Sequence, residues 1–451
     1  MMVVAAQVAT NTSQVAGSFL IFEEDRGTDD EEDQCDVLKR THGHKRNKRS
    51  KRTKFYHTEA YQCVMRDYLG ANAIFNGSSF IMMFRISRTR FQRMMEDTAA
   101  LEKPFYSETT SCNCLQVASF EARLLLPLKC LAYGMPPHTF VDYFQMSKTL
   151  AAKACIVFDE ILHEVYHGEY LRSPTPQDLQ KIDNLHQVVH GRNGLFGHID
   201  CMHTGWKNCP KGWNGRFDGK EGDPTIVLEG VCDYNLWFWH AAYGFAGTMN
   251  DLNILNASPL MSTFLEGKFD EVEQASGVVP FEVGGEEFNK MFITCDGIYP
   301  MYARFVKTIS HPCGLQQERY TKWQESTRKD IERAFGVLQQ CFQYVCTPIQ
   351  MHSLKLIGKR IRSCIILHNM KVSDRVMDGD VTASYNPAMQ VENNGAAASP
   401  HMPVNMDVNF PAIGTANLPN VNVALEMAEH WKGLRDREEH LRLQRALVNT
   451  F

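Results

Sequence analysis

Four acidic residues stand in places where a carboxylate calls for a reason. Asp200 lies in the apolar run His198-Ile199-Asp200-Cys201-Met202, and Asp296 closes Phe292-Ile293-Thr294-Cys295. Asp251 follows Gly247-Thr248-Met249-Asn250, and Glu332 sits within Arg328-Lys329-Asp330-Ile331-Glu332-Arg333. Charged side chains are seldom placed among apolar ones unless they are paired or used. Mg²⁺ and Mn²⁺ take hard oxygen ligands and keep water and substrate phosphate in their shell. Acids drawn from separate segments can therefore hold such ions against a phosphodiester backbone. A pair of ions divides an in-line displacement, one activating the attacking water or 3′-hydroxyl and the other stabilising the leaving oxygen. Plainer roles stay open beside this one. Strand-end acids serve as turn residues, Asp251 suits the first turn of a helix, and Glu332 can pair with Arg328 at i−4.

The elements that would carry these acids follow from the residue pattern. Runs at 195–201, 225–233, 236–244 and 292–296 read as strands, the middle two joined as a hairpin by Asp233-Tyr234-Asn235. Asn250 is placed to cap a helix over 250–255. Ile331, Ala334, Phe335, Leu338 and Phe342 recur at helical spacing and predict an amphipathic helix over 328–343, with Glu332 at the edge of its buried face. Strand, hairpin, helix, strand and long helix make an α/β core with a mixed sheet. Two strand-borne acids followed by a helical Glu, with 35 residues between Asp296 and Glu332, are similar to the arrangement of RNase H-like polynucleotidyl transferases.

Around this core the chain divides further. Residues 1–54 form a tail in which 23–36 carry nine acids and one base and 39–54 carry nine bases and no acid. Such like-charge blocks repel internally and stay solvated. The basic one, with Lys45, Arg46, Lys48, Arg49, Lys51 and Arg52, reads as a nuclear-import or DNA-contacting arm, against the plainer reading of a solubilising tail. Residues 55–190 read as a helical N-terminal domain. Within it, Thr139–Phe144, the turn Gln145-Met146-Ser147 and a helix from Lys148 to Leu162 fit a helix-turn-helix with Lys148 and Lys153 near phosphates. An ordinary helical hairpin fits equally well. Residues 191–375 hold the nuclease-type α/β domain. Residues 376–420, rich in Asn, Ala, Val, Pro and Met, read as a disordered linker, and 421–451 as one charged amphipathic helix that docks on the core or pairs with another copy.

The net charge of −5 gives no global signature of nucleic-acid binding. Without the two terminal blocks the remainder is still mildly acidic, so phosphate contact would fall to the basic arm, local lysines and bound divalent ions. Fourteen scattered cysteines indicate neither a disulfide framework nor a zinc ribbon and point to a reducing compartment. The first 22 residues lack a basic lead and do not read as a secretory signal, and no apolar run approaches a membrane span.

Several blocks together carry a family resemblance: GHIDCMHTGWKNCP at 197–210, PTIVLEGVCDYNLWFWHAAYGFAGTMNDLNIL at 224–255, CDGIYP at 295–300, RKDIERAFGVLQ at 328–339 and CIILHNM at 364–370. In this order they resemble the PIF/Harbinger superfamily of DDE transposases and its plant-type domesticated relatives, over about residues 55–375. The resemblance implies an RNase H-like fold and a Mg²⁺- or Mn²⁺-dependent endonuclease and strand transferase. Its acidic positions fall on Asp200, Asp251, Asp296 and Glu332, with topology favouring Asp296 and the block around Asn250 favouring Asp251 as second member. It also implies a nuclear protein that binds terminal inverted repeats together with a Myb-like partner. The alternative is a domesticated, catalytically silent DNA-binding or chromatin protein on the same fold. His203, Trp206 and Lys207 stand where they could touch phosphate or bases, although Trp206 is expected in the core, and His368 is expected to be a buried, satisfied histidine.

Overall fold

Seven strands lie between residues 195 and 306 in the computed structural model: β1 Leu195–Gly205, β2 Thr225–Cys232, β3 Phe238–Ala246, β4 Phe281–Val283, β5 Glu286–Phe288, β6 Phe292–Thr294 and β7 Phe305–Val306. Five of them form one sheet in the order β3-β2-β1-β6-β7. β1 pairs antiparallel with β2, and β2 with β3, whereas β1–β6 and β6–β7 are parallel. This is the mixed RNase H-like sheet that the strand pattern predicts. β2 is buried along nearly its whole length, as a strand covered on both faces must be. The structure describes residues 54–107, 117–377 and 421–451. The acidic block, the basic arm from Lys45 to Arg52 and the segment 378–420 lie outside the described residues.

The hairpin forms where expected, but β3 starts at Phe238 because Leu236 takes a left-handed φ of 70° in the turn. Asp233 fixes that turn, accepting from the Trp237 N–H at 3.2 Å and from Trp239 Nε1 at 2.9 Å. Its burial pushes the carboxyl up to about 7.

The helical N-terminal region contains α1 His57–Val64, which continues as a π-helical turn through Leu69, then α2 Gly77–Phe84, α3 Arg88–Ala100, α4 Pro104–Ser107, α5 Phe120–Tyr133, α6 Val141–Phe144, α7 Lys148–Tyr170 and α8 Pro176–His190. The turn at 145–147 is present, with Gln145 left-handed at φ 49°. Ser147 Oγ accepts from the Leu150 N–H at 3.1 Å and so starts α7. Ser147→Ala is expected to cost about 1 kcal/mol, read as a lower urea midpoint; an unchanged midpoint would show that the cap is dispensable. α7 runs on past Leu162 because Tyr166 and Tyr170 prolong its buried face. That face packs on a late helix, where buried Asp159 meets Arg360 at 3.1 Å and Ser363 at 2.8 Å. Lys148 and Lys153 lie exposed on the other side.

Within and after the sheet come α9 Asn214–Phe217, α10 Asp251–Ala257, α11 Pro259–Leu265, α12 Lys268–Ser276, α13 Leu315–Cys341, α14 Leu354–Met377, α15 Val421–Leu434 and α16 Arg437–Asn449. α13 starts well before the predicted position 328. Its first turns bear Gln316, Gln317, Glu318 and Lys322, and this polarity masks the period that Tyr320, Gln324 and Thr327 keep on the buried side. α14 covers β3, where Asn369 acts as a piece of strand. Its side chain accepts from the Phe238 N–H at 3.0 Å and donates to Phe238 O at 3.0 Å and Tyr170 O at 2.7 Å.

The single C-terminal helix expected over 421–451 is two helices. Asp436 accepts from the N–H groups of Glu438 and Glu439 at 2.9 and 3.0 Å, and an N-cap residue must leave helical geometry, which ends α15 at Leu434. Leu434, Leu443, Ala446 and Leu447 are buried, and the pair packs on α11, α13, β4 and β7. Among the described residues no helix is long and apolar enough to cross a membrane.

Candidate functional site

The sheet brings the strand-borne acids together by register. β1 and β6 are parallel neighbours with His198 opposite Thr294, two residues before Asp200 on β1 and two before Asp296 on the chain leaving β6. β6 itself ends at Thr294, and Asp296 stands on the exposed turn beyond it, its Oδ1 accepting from the Gly297 N–H at 2.7 Å. On its other side Asp200 faces Gly230 of β2. A Cβ at Gly230 would come within 3.0 Å of the Phe238 ring and 3.2 Å of the Phe335 ring, so the glycine leaves room for α13 to pack closely on the sheet. Phe335 is one turn past Glu332, and this approach delivers the helical acid to the strand.

Arg328 joins the two. Its guanidinium donates through Nη1 to Asp200 Oδ2 at 3.1 Å and through Nη2 to Glu332 Oε1 at 2.9 Å. The i−4 pairing anticipated for Glu332 therefore exists, but it is half of a bridge between strand and helix. Asp200 Oδ1 accepts from the Cys201 N–H at 2.9 Å. Asp251 opens α10 behind the Asn250 cap, whose Oδ1 accepts from the Asn253 N–H at 2.9 Å.

Charge links these acids in pairs. Burial raises the Asp200 carboxyl above its ordinary range; the Cys201 amide and Arg328 oppose this, and the charges of Asp251 and Glu332 add to it. Asp251 is raised in the same way, chiefly by burial, against the pull of the Cys201 thiol, Lys220 and His203 and with a further push from Asp296. Asp200 thus feels Asp251 and Glu332, and Asp251 feels Asp296. Carboxylate oxygen is what a hard divalent ion takes, but Arg328 already sits on Asp200 and Glu332, Lys220 and His203 act on Asp251, and no three of the four carboxylates lie within 4.8 Å of one another. Asp251 acts on Asp200 and Asp296 acts on Asp251, and this charge pattern does not choose between Asp251 and Asp296 as second acid.

The other expected residues fall as follows. His203 is half-buried beside the acids, with Nδ1 3.1 Å from Thr225 Oγ1. Lys207 is exposed, and Trp206 is in the core, its Nε1 donating to Met351 O at 2.8 Å. His368 is buried as expected and holds Leu236 O through Nε2 at 2.8 Å, but its buried Nδ1 has no hydrogen-bond partner, so it is not fully satisfied; burial lowers its pKa to about 4. Lys148 and Lys153 sit on α7, which does not contribute to the acidic cluster. Sequence reasoning missed Arg328 as a bridge, Asn369 as a strand surrogate, and a buried group formed by His186, His190, His198 and Asp330. For the last, the i, i+4 spacing of His186 and His190 was the available signal.

A mixed five-stranded sheet flanked by helices, after a helical N-terminal region, sets the fold class before any relative is considered. Residues 168–378 match the family model described as plant transposon protein, and this span contains every one of the four acids. The match supports kinship with transposase-related proteins. Comparison with curated proteins and with solved structures found no match.

Proposed function

We propose that this chain is a transposase of the PIF/Harbinger type, a divalent-metal-dependent DNA endonuclease and strand transferase that acts on phosphodiester bonds at transposon ends. What supports the reading is the placement of Asp200 on β1, Asp251 on α10, Asp296 just past β6 and Glu332 on α13, with Arg328 bridging Asp200 and Glu332, inside the span that matches plant transposon proteins. Asp200, Asp251, Asp296 and Glu332 are the residues that would hold Mg²⁺ or Mn²⁺, which would supply activation of the attacking water or 3′-hydroxyl and stabilisation of the leaving oxygen. The protein's own part is positional. β1 and the β6 turn hold two carboxylates at fixed spacing, Asn250 orients Asp251, and Arg328 keeps Asp200 and Glu332 from repelling each other. Exposed Lys220, whose charge reaches Asp251, is available to a substrate phosphate. The basic arm from Lys45 to Arg52, with Lys148 and Lys153, supplies further DNA contact, and terminal inverted repeats, a Myb-like accessory protein and a nuclear location belong to the same reading.

One observation favours a second reading, a domesticated and catalytically silent DNA-binding protein. The Arg328 guanidinium lies against two of the acids and competes with a metal for them. Both readings meet in one experiment. Full-length protein and the Myb-like partner are incubated with DNA bearing the inverted repeats that flank the gene. Cleavage that requires Mg²⁺ or Mn²⁺, stops with EDTA and is lost in Glu332→Gln supports the transposase; wild type giving no more product than Glu332→Gln overturns it.

A further inference from the structure

Beneath the acidic cluster lies a second group of ligating side chains with a different character. His190 ends α8, His198 is on β1 two residues before Asp200, and Asp330 is on α13 two residues before Glu332. His198 and Asp330 are buried, and the His190 side chain is 12% exposed. His190 Nε2 lies 3.1 Å and His198 Nε2 3.6 Å from the same oxygen, Asp330 Oδ2, and the three ligand atoms fall within 4.8 Å of one another.

His198 Nε2 is the telling atom. The ring is wholly buried, its Nδ1 is engaged by Thr294 Oγ1 at 2.7 Å, and Nε2 points at the carboxylate without a hydrogen-bond partner. A buried polar atom left unmatched costs roughly 1–3 kcal/mol, and its distance to Asp330 is too long for a hydrogen bond. The second nitrogen of His190 is 3.5 Å from Thr327 Oγ1. Each imidazole is thus steadied at Nδ1 and presents Nε2 inward, the usual posture of a metal-bound histidine. Asp330 Oδ1 is taken by Arg333 at 2.6 Å, which leaves Oδ2 facing the two rings.

We propose that His190, His198 and Asp330 form a structural site for a zinc-class divalent ion, distinct from the acidic cluster and independent of its role. Tetrahedral coordination with bonds near 2.0–2.1 Å sets ligand atoms about 3.4 Å apart, and the two separations from Asp330 Oδ2 bracket that value. Two imidazoles and one carboxylate favour a borderline ion over magnesium. The ion would tie α8, β1 and α13 together directly under Asp200 and Glu332. It would brace the helix that bears one acid against the strand that bears another.

The test uses the full-length chain, stripped with chelator and titrated with Zn²⁺ or Co²⁺. In an Asp200→Asn/Glu332→Gln background, which disarms the acidic cluster, one tightly held Zn²⁺ per chain is expected, together with a tetrahedral Co²⁺ spectrum lacking sulfur charge transfer. His198→Gln and His190→Gln should each weaken affinity at least about 100-fold and abolish the rise in Tm that Zn²⁺ gives the parent. His190→Gln, at the less buried end, serves if His198→Gln does not fold. Equal Zn²⁺ affinity in His190→Gln and its parent, a thiolate signature in the Co²⁺ spectrum, or no tight Zn²⁺ on the folded parent would each overturn the proposal.

Discussion

On the proposed function, Asp200→Asn is expected to lower metal-dependent cleavage by at least about 10³-fold, because a carboxylate that would hold the ion is lost, with several kcal/mol of transition-state stabilisation. The same substitution should raise Tm when measured at neutral pH in chelator. The sign follows from the direction of the shift. Burial raises the folded-state carboxyl above its unfolded value, so the ionised form is disfavoured in the fold. Its stabilising contribution is present only below the unfolded value, near pH 3.9, and is lost as pH rises through the folded value. At neutral pH the ionised Asp200 is therefore a burden that Asn removes, while Arg328 keeps Glu332 as partner. The gain in Tm should shrink toward acid pH. An Asn variant that cleaves within tenfold of wild type, or that melts lower at neutral pH, would contradict this account.

The second large effect belongs to Arg304, at the edge of β7. Its side chain is 2% exposed, and it donates to both oxygens of Glu273, at 2.5 and 2.7 Å, to Asp270 at 2.5 Å and to Met291 O at 3.0 Å. The rings of Phe264 and Phe269 lie 5.2 and 5.1 Å from the guanidinium carbon. Glu273 also accepts from the Met291 N–H at 2.9 Å, so one carboxylate fastens α12 to the chain entering β6. Removing one partner of a buried pair strands the other charge and costs roughly 3–5 kcal/mol. Glu273→Ala should lose that much in urea unfolding, whereas Glu273→Gln, which can still accept from Met291, should lose less. A loss below about 1 kcal/mol for the Ala variant would mean that water or Asp270 alone satisfies Arg304.

What could be read in the sequence was what local chemistry decides. Ser147 and Asn250 cap the helices they were expected to cap, since a hydroxyl or amide three residues before an N–H is a short-range fact. The runs that became β1, β2 and β3 stood out because β-branched and aromatic residues cluster there. The acids stood out because their surroundings are apolar. Features that depend on distant residues were hidden. The start of α13 was masked by its polar first turns, and the break before Asp436 reads as ordinary helix until the carboxylate is seen on two amides. Arg328 looked like a partner of Glu332 alone because its other partner lies on a strand far back in the chain. The pairing of His198 with Asp330 was out of reach for the same reason.

That distance bears on how the site comes into being. Asp200 and Arg328 are 128 positions apart, and the β1–β6 pairing that sets Asp200 beside Asp296 also closes a long loop. Contacts of such separation form slowly, because loop entropy is spent before they repay it. A nascent chain that has emerged only as far as the turn after β6 carries three of the acids and lacks both the guanidinium and the helix that bears the fourth. Bringing these acids together is therefore a late event in folding, and a chain cut short before α13 would keep all of the sheet's residues yet lack Arg328 and Glu332.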